Sequence, residues 1–149
     1  MTELLHFEDF SLGQTMALDG RYTVTRDEVT EFARQFDPQP IHLDEDAAKA
    51  SVLGGLAASG WHVCAMAMRM IVDGLVSKSA AQGAAGVEEC RWLRPVRPGD
   101  VLRLELEVLE TRAPTSRSDI GFVKIRWDVF SQSERVATMV SSPMFRRRA

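Results

Sequence analysis

Cysteine, tyrosine and histidine are scarce in this chain: two, one and three residues among 149. Two cysteines are too few for a disulfide scaffold, and Cys64 and Cys90 lack the paired spacing of a zinc site. Each sits in an apolar stretch and reads as a buried free thiol, a disulfide between them being the weaker reading. No metal is therefore expected. A long uninterrupted apolar run is also missing. The most apolar segment, from Trp61 to Val76, is broken by His62, Arg69 and Asp73. It is too short and too charged for a bilayer, so it reads as a core helix and no membrane partner is expected. An excess of positive charge is absent too: the net charge is −3, which argues against a nucleic-acid partner. The opening MTELLHFEDF carries acids rather than a basic segment leading into an apolar one. It does not read as a signal peptide, and a cytoplasmic location is the expectation. There is no internal repeat and no nucleotide-binding loop.

What is present is ordinary in amount and specific in pattern. Apolar residues at 45% and charged residues at 26% suit a single soluble domain over residues 1–149 with a real core. Residues 7–20 look irregular, and Tyr22 to Thr25 is a short β-prone run. Thr25-Arg26-Asp27-Glu28 has the form of a capping box, predicting a helix to about Phe36 that Pro38 stops. Asp44 reads as the N-cap of a short helix through Ala50. A small, methionine-rich helix follows from about Gly60 to Ser77, roughly 27 Å long at about 1.5 Å per residue. It is apolar almost all round, as a helix buried on most sides is. Beyond a Ser/Ala/Gly-rich linker the period changes to two. Strands are predicted over 87–93, 101–110, 120–130 and 134–145, with Leu102, Leu104, Leu106 and Val108 inward in the second. Val123, Ile125, Trp127 and Val129 face inward in the third, and Lys124, Arg126 and Asp128 outward. One buried helix followed by antiparallel strands implies an α+β fold with a curved sheet wrapped around the helix.

The chemistry concentrates between Asp37 and Gly60. Asp37 and His42 lie five positions apart on a segment braced by Pro38 and Pro40, which reads as an extended or turning loop. A stiff backbone of this kind can hold an acid and an imidazole around one water or one substrate atom. Ser59-Gly60 opens the long helix, whose first N–H groups are unpaired and whose dipole end is positive. An acid, a base and an anion-stabilising helix end together suit carbonyl or thioester chemistry. His6 carries no signal. His62 reads as a packing or solvent-facing residue, and Gly54-Gly55 as a hinge or a substrate contact. Arg91, Arg94 and Arg97 could meet phosphates or simply form a solvated edge, and Arg146-Arg147-Arg148 reads as a soluble tail.

The runs Asp37-Pro38-Gln39-Pro40-Ile41-His42-Leu43-Asp44, Ala58-Ser59-Gly60 and Leu93-Arg94-Pro95-Val96-Arg97-Pro98-Gly99-Asp100 resemble the MaoC-like, (R)-specific enoyl-CoA hydratases. The resemblance extends from the first helix to the end of the chain. It implies the hotdog fold, reversible hydration of trans-2-enoyl-CoA to (R)-3-hydroxyacyl-CoA, and a homodimer or higher homo-oligomer. No cofactor is implied beyond the coenzyme A carried by the substrate. The catalytic Asp and His of the family fall on Asp37 and His42, and its helix-start glycine on Gly60. Ser59, Trp61 and Gly55 become candidate substrate contacts. Three positions depart from the family: Gln39 replaces an Asn, Ser59 a His, and Met68 a small polar serine. An acyl-CoA thioesterase and a non-catalytic acyl-binding subunit are the competing readings on the same fold.

Overall fold

A computed structural model describes residues 2–148, so the expected domain limits at Met1 and Ala149 lie outside the described residues. Short strands β1 (Thr15–Ala17) and β2 (Tyr22–Thr23) precede three helices, α1 (Arg26–Phe36), α2 (Pro40–Leu43) and α3 (Glu45–Lys49). The long helix is α4 (Gly60–Gly74). Five strands follow: β3 (Val87–Trp92), β4 (Val101–Arg112), β5 (Ile120–Ser131), β6 (Glu134–Ser141) and β7 (Met144–Arg146). All seven strands form one antiparallel sheet, with β1-β4-β5-β6-β3 along its main path, β2 beside β4 and β7 beside β5.

The alternation read from the sequence is what closes the core. Leu102, Leu104, Leu106 and Val108 of β4 and Val123, Ile125, Trp127 and Val129 of β5 are buried. They meet Val63, Met66, Ala67, Met70 and Ile71 of α4 in one cluster. This is the hotdog arrangement, a curved sheet around a central helix. At about 25 cal/mol per Å² of apolar surface removed from water, each such side chain contributes on the order of 1.5–3 kcal/mol. Among the described residues no helix is long and apolar enough to cross a membrane.

Several local expectations change. Residues 7–20 are not all irregular: Phe7–Asp9 forms a 3₁₀ turn and Thr15–Ala17 pairs with β4. The last strand is broken at Ser142-Pro143 into β6 and β7, because proline has no N–H for the ladder. Asp128 lies on the outer face with Arg126, as read, but is buried there, with Arg126 and Arg135 reaching it at 3.0 and 3.4 Å. A buried carboxylate is retained where guanidinium groups compensate it. The C-terminal arginines are not a loose tail: Arg148 reaches Glu3 and Asp9, and Arg147 reaches Glu8. Helix α4 is not covered all round, since Trp61 and Met68 are 63% and 48% exposed. Cys64 and Cys90 are half-buried, with sulfurs 3.6 Å apart.

Candidate active site

Helix α1 ends where Pro38 forbids its continuation, leaving Asp37 at the C-cap with its N–H donating to the Ala33 carbonyl at 2.9 Å. The next segment, expected as an extended or turning loop, is in part helical. Pro40 begins a single helical turn, α2, and His42 lies within it. Proline suits that first helical position because its missing N–H would have no partner there. The turn swings the His42 ring inward, where it is 6% exposed.

The ring is held at one nitrogen and open at the other. His42 Nδ1 lies 2.7 Å from the Ala57 carbonyl oxygen. A carbonyl only accepts, so Nδ1 carries a hydrogen, and in the neutral ring the lone pair sits on Nε2. Nε2 faces Asp37 Oδ2 at 3.4 Å. The other carboxylate oxygen accepts from Gln39 Nε2 at 2.6 Å. Two acceptors thus face each other at a distance too long for a strong direct bond, and a donor with two hydrogens would satisfy both.

Ser59 completes this corner. It is the N-cap residue of α4, yet its side chain makes no capping bond. The residue is fully buried and its hydroxyl has no partner of hydrogen-bonding geometry. It lies beside Asp37 and contributes most to holding that carboxyl below the usual carboxylate range. Gln39 adds to the effect, His42 adds a smaller Coulombic part, and partial burial opposes it. The hydroxyl is thus directed at the Asp37 carboxyl as a hydrogen-bond donor, although the contact falls outside strict hydrogen-bond geometry.

The N–H groups of Gly60, Trp61 and His62 are likewise without acceptors, and the first bond of the helix runs from Val63 N to Ser59 O at 3.0 Å. Uncapped amides at a positive dipole end form a ready anion site. Gly60 cannot be another residue without movement: a Cβ there would lie 2.4 Å from the Trp92 ring. His42 and Gly60 line one cavity of about 250 Å³, together with Val63, Trp92, Leu93 and Val136.

The structure thus brings Asp37, His42, Ser59 and Gly60 together. His42 and Gly60 line the cavity, Asp37 and Ser59 sit behind them outside its lining, and the other two candidates stand apart. Trp61 points outward and packs edge-on against Trp92, with ring centroids 5.2 Å apart. Gly55 is buried against Arg97, where a Cβ would lie 2.9 Å from Nη1. Arg97 is itself taken up by the Leu53 and Leu56 carbonyls, Arg94 pairs with Glu134 and Arg91 with Glu89. His62 packs, stacking on Phe32 at 4.6 Å between centroids, and burial lowers its pKa. Sequence reasoning missed Trp92, Leu93 and Val136 in the lining. They lie on or beside strands and carry no local signature.

The family model for the MaoC like domain matches residues 9–122. The Bacillus subtilis protein YdeM is 27% identical over 131 residues, covering 87% of this chain and 90% of that protein. The crystal structure of a MaoC-like dehydratase from Rhodospirillum rubrum superimposes with a TM-score of 0.90 at 38% identity, covering 97% of this chain and 99% of that one. The unliganded R-hydratase PhaJ1 of Pseudomonas aeruginosa shares the fold at a TM-score of 0.73 and 22% identity, over 99% and 93% of the two chains. With its acid–imidazole pair set against an uncapped helix start, this chain belongs to the MaoC-like dehydratase family.

Proposed function

We propose that this protein reversibly hydrates a trans-2-enoyl-CoA to the (R)-3-hydroxyacyl-CoA. Membership of the family supports a hydratase or dehydratase kind of activity. The observation that carries the finer reading is the acceptor pair, Asp37 Oδ2 and His42 Nε2, held 3.4 Å apart with the far ring nitrogen committed to Ala57. One water donating to both would be oriented with its oxygen lone pair free to attack.

The reaction needs a polarised thioester, because only then is the β-carbon electrophilic. In this reading the Gly60 N–H and the dipole of α4 stabilise the enolate oxygen, a contribution of about 3 kcal/mol for one such donor. The water loses a proton to the Asp37–His42 pair as its oxygen bonds to the β-carbon. The pair then returns a proton to the α-carbon, and the oxyanion charge collapses into the carbonyl. Acid–base help of this sort contributes on the order of 10²–10⁴-fold. Coenzyme A enters only as the substrate's own thiol carrier.

We also propose that the protein works as a homodimer. Among the described residues, strand β3 is bonded only to β6 along its length. Beside that open edge lie the exposed apolar side chains Trp61, Met68, Val87 and Trp92. A second copy pairing at β3 would cover both the edge and the patch.

Thioester hydrolysis is less well supported. The one carboxylate on α4, Asp73, is exposed near the far end of the helix and paired with Arg69 at 3.0 Å. A non-catalytic acyl-binding role leaves the Asp37–His42 geometry unexplained. Incubation with crotonyl-CoA separates the readings. Hydration predicts loss of the conjugated enone absorbance without free thiol, hydrolysis predicts thiol release, and tight binding without either product would favour the non-catalytic role.

A further inference from the structure

The two thiols fall in a register that the proposed hydration does not use. Cys64 lies one helical turn beyond Gly60 on α4, and Cys90 lies two residues before Trp92 on β3. Gly60 packs on the Trp92 ring. The next rung along the same helix–strand contact is Cys64 on Cys90, with sulfurs 3.6 Å apart. Both residues keep part of their surface open to solvent, and no other cysteine competes for either.

We propose that Cys64 and Cys90 are a reversible oxidation site, closing to a disulfide that ties the central helix to the edge strand one turn from the thioester-polarising helix end. The link to that helix end rests on the hydratase reading; the crosslink itself does not. Closure needs the sulfurs to move from 3.6 Å to about 2.05 Å, within reach of side-chain rotation and a small helix shift. Burial, and then the neighbouring Cys64 sulfur, push the Cys90 thiol up to about 11. Cys64 is taken as the attacking sulfur.

With a peroxide as oxidant the electrons balance. The Cys64 thiolate attacks one peroxide oxygen; the S–O bond forms, the O–O bond breaks, and the departing hydroxide takes a proton to become water. The Cys90 sulfur then attacks the Cys64 sulfur. The S–S bond forms, the S–O bond breaks, and the second hydroxide leaves as water with the Cys90 proton. Two thiols lose two electrons and the peroxide gains them. A dithiol reductant reverses the change by exchange.

The test uses the whole protein, treated with hydrogen peroxide and then with excess dithiothreitol. The expected result is a mass loss of about 2 Da, the two thiol hydrogens, with Cys64 and Cys90 recovered in one non-reduced peptide and restored by dithiothreitol. A rise in Tm of several degrees accompanies the crosslink, as expected when a loop is closed in the unfolded chain. The substitutions Cys64→Ser and Cys90→Ser each abolish the mass loss. Turnover of crotonyl-CoA is then compared between oxidised and reduced protein, with at least a twofold change expected. Two alkylatable thiols after peroxide treatment, or a crosslink found only between copies, overturns the proposal. A crosslink with unchanged turnover overturns its connection to the helix end, and a protein inactive in both states but crosslinked overturns the hydratase reading alone.

Discussion

Two kinds of helix start occur within 35 residues of one another along this chain, from Thr25 to Ser59. Helices α1 and α3 begin with their orphan amides satisfied. Thr25 Oγ1 accepts from Glu28 N at 3.2 Å, and Asp44 Oδ1 accepts from Asp46 N and Ala47 N at 2.8 and 3.2 Å. Helix α4 begins with Ser59, a residue type equally able to cap, and its amides are left bare. Its hydroxyl turns instead toward Asp37, buried and without a hydrogen-bond partner. An unpaired buried hydroxyl costs about 1–3 kcal/mol. Helix α2 also lacks a side-chain cap, at Gln39; what sets α4 apart is a cap-competent residue turned away from the amides, which suits an end kept open for something that binds.

The contrast can be broken in order of effect. The largest is His42→Ala, which should cost about 10²–10⁴-fold in crotonyl-CoA turnover while circular dichroism stays native; near-normal turnover would remove His42 from the chemistry. Next is Gly60→Ala. Its new Cβ meets the Trp92 ring at 2.4 Å and displaces the bare amide, for an expected loss of about 10²–10³-fold in kcat. Adding Trp92→Ala should return part of that loss, and failure to do so would mean that the ring contact is not what demands glycine.

Smaller and sharper is Ser59→Ala. In the folded protein Asp37 has its pKa lowered below the ordinary 3.8 of an aspartate. Its contribution to stability is therefore complete above that value and is lost as pH falls through the folded pKa. Removing the first group that lowers it should move the acid limb of kcat/KM upward, toward the ordinary carboxylate range, with only the small loss of Tm that this linkage carries. An unmoved limb with a lowered Tm would make Ser59 a structural residue. The smallest effect is Thr25→Ala, about 1 kcal/mol of stability from a lost cap, read by denaturant melt, with turnover unchanged. If Thr25→Ala and Ser59→Ala gave the same phenotype, the distinction between the two helix starts would not hold.

Much of this was visible before the chain was folded. The inward residues of β4 and β5, the Thr25 cap and the stop at Pro38 are local signals, and the structure repeats them; the second half of the capping box does not form, because the Glu28 carboxylate accepts from the Tyr22 hydroxyl instead. The one-turn helix around His42 was not, because the same prolines permit either an extended brace or a helix beginning at Pro40. Asp128 looked outward by alternation. Arg126 and Arg135, which compensate its burial, lie on its own strand and the next, and their convergence is a matter of register and twist. Trp61 was chosen because it follows Gly60, and adjacency does not say which way a helix faces; Gly55 was chosen because a glycine-rich stretch admits close approach, and what approaches it is Arg97.

The sequence alone determined the order of elements, the helix boundaries near Asp37 and Gly60, and which strand faces are apolar. Those depend on backbone preferences and on periods of two and 3.6 residues that operate over a few positions. Tertiary structure decided that the Ala57 carbonyl, 15 residues from His42, selects the ring's tautomer. It also decided that the Ser59 hydroxyl meets Asp37, that Trp92 leaves room only for glycine, and that Cys64 finds Cys90 across 26 residues. Each of these contacts exists because a curved sheet docks on a helix at one particular angle, and no short window of residues carries that angle.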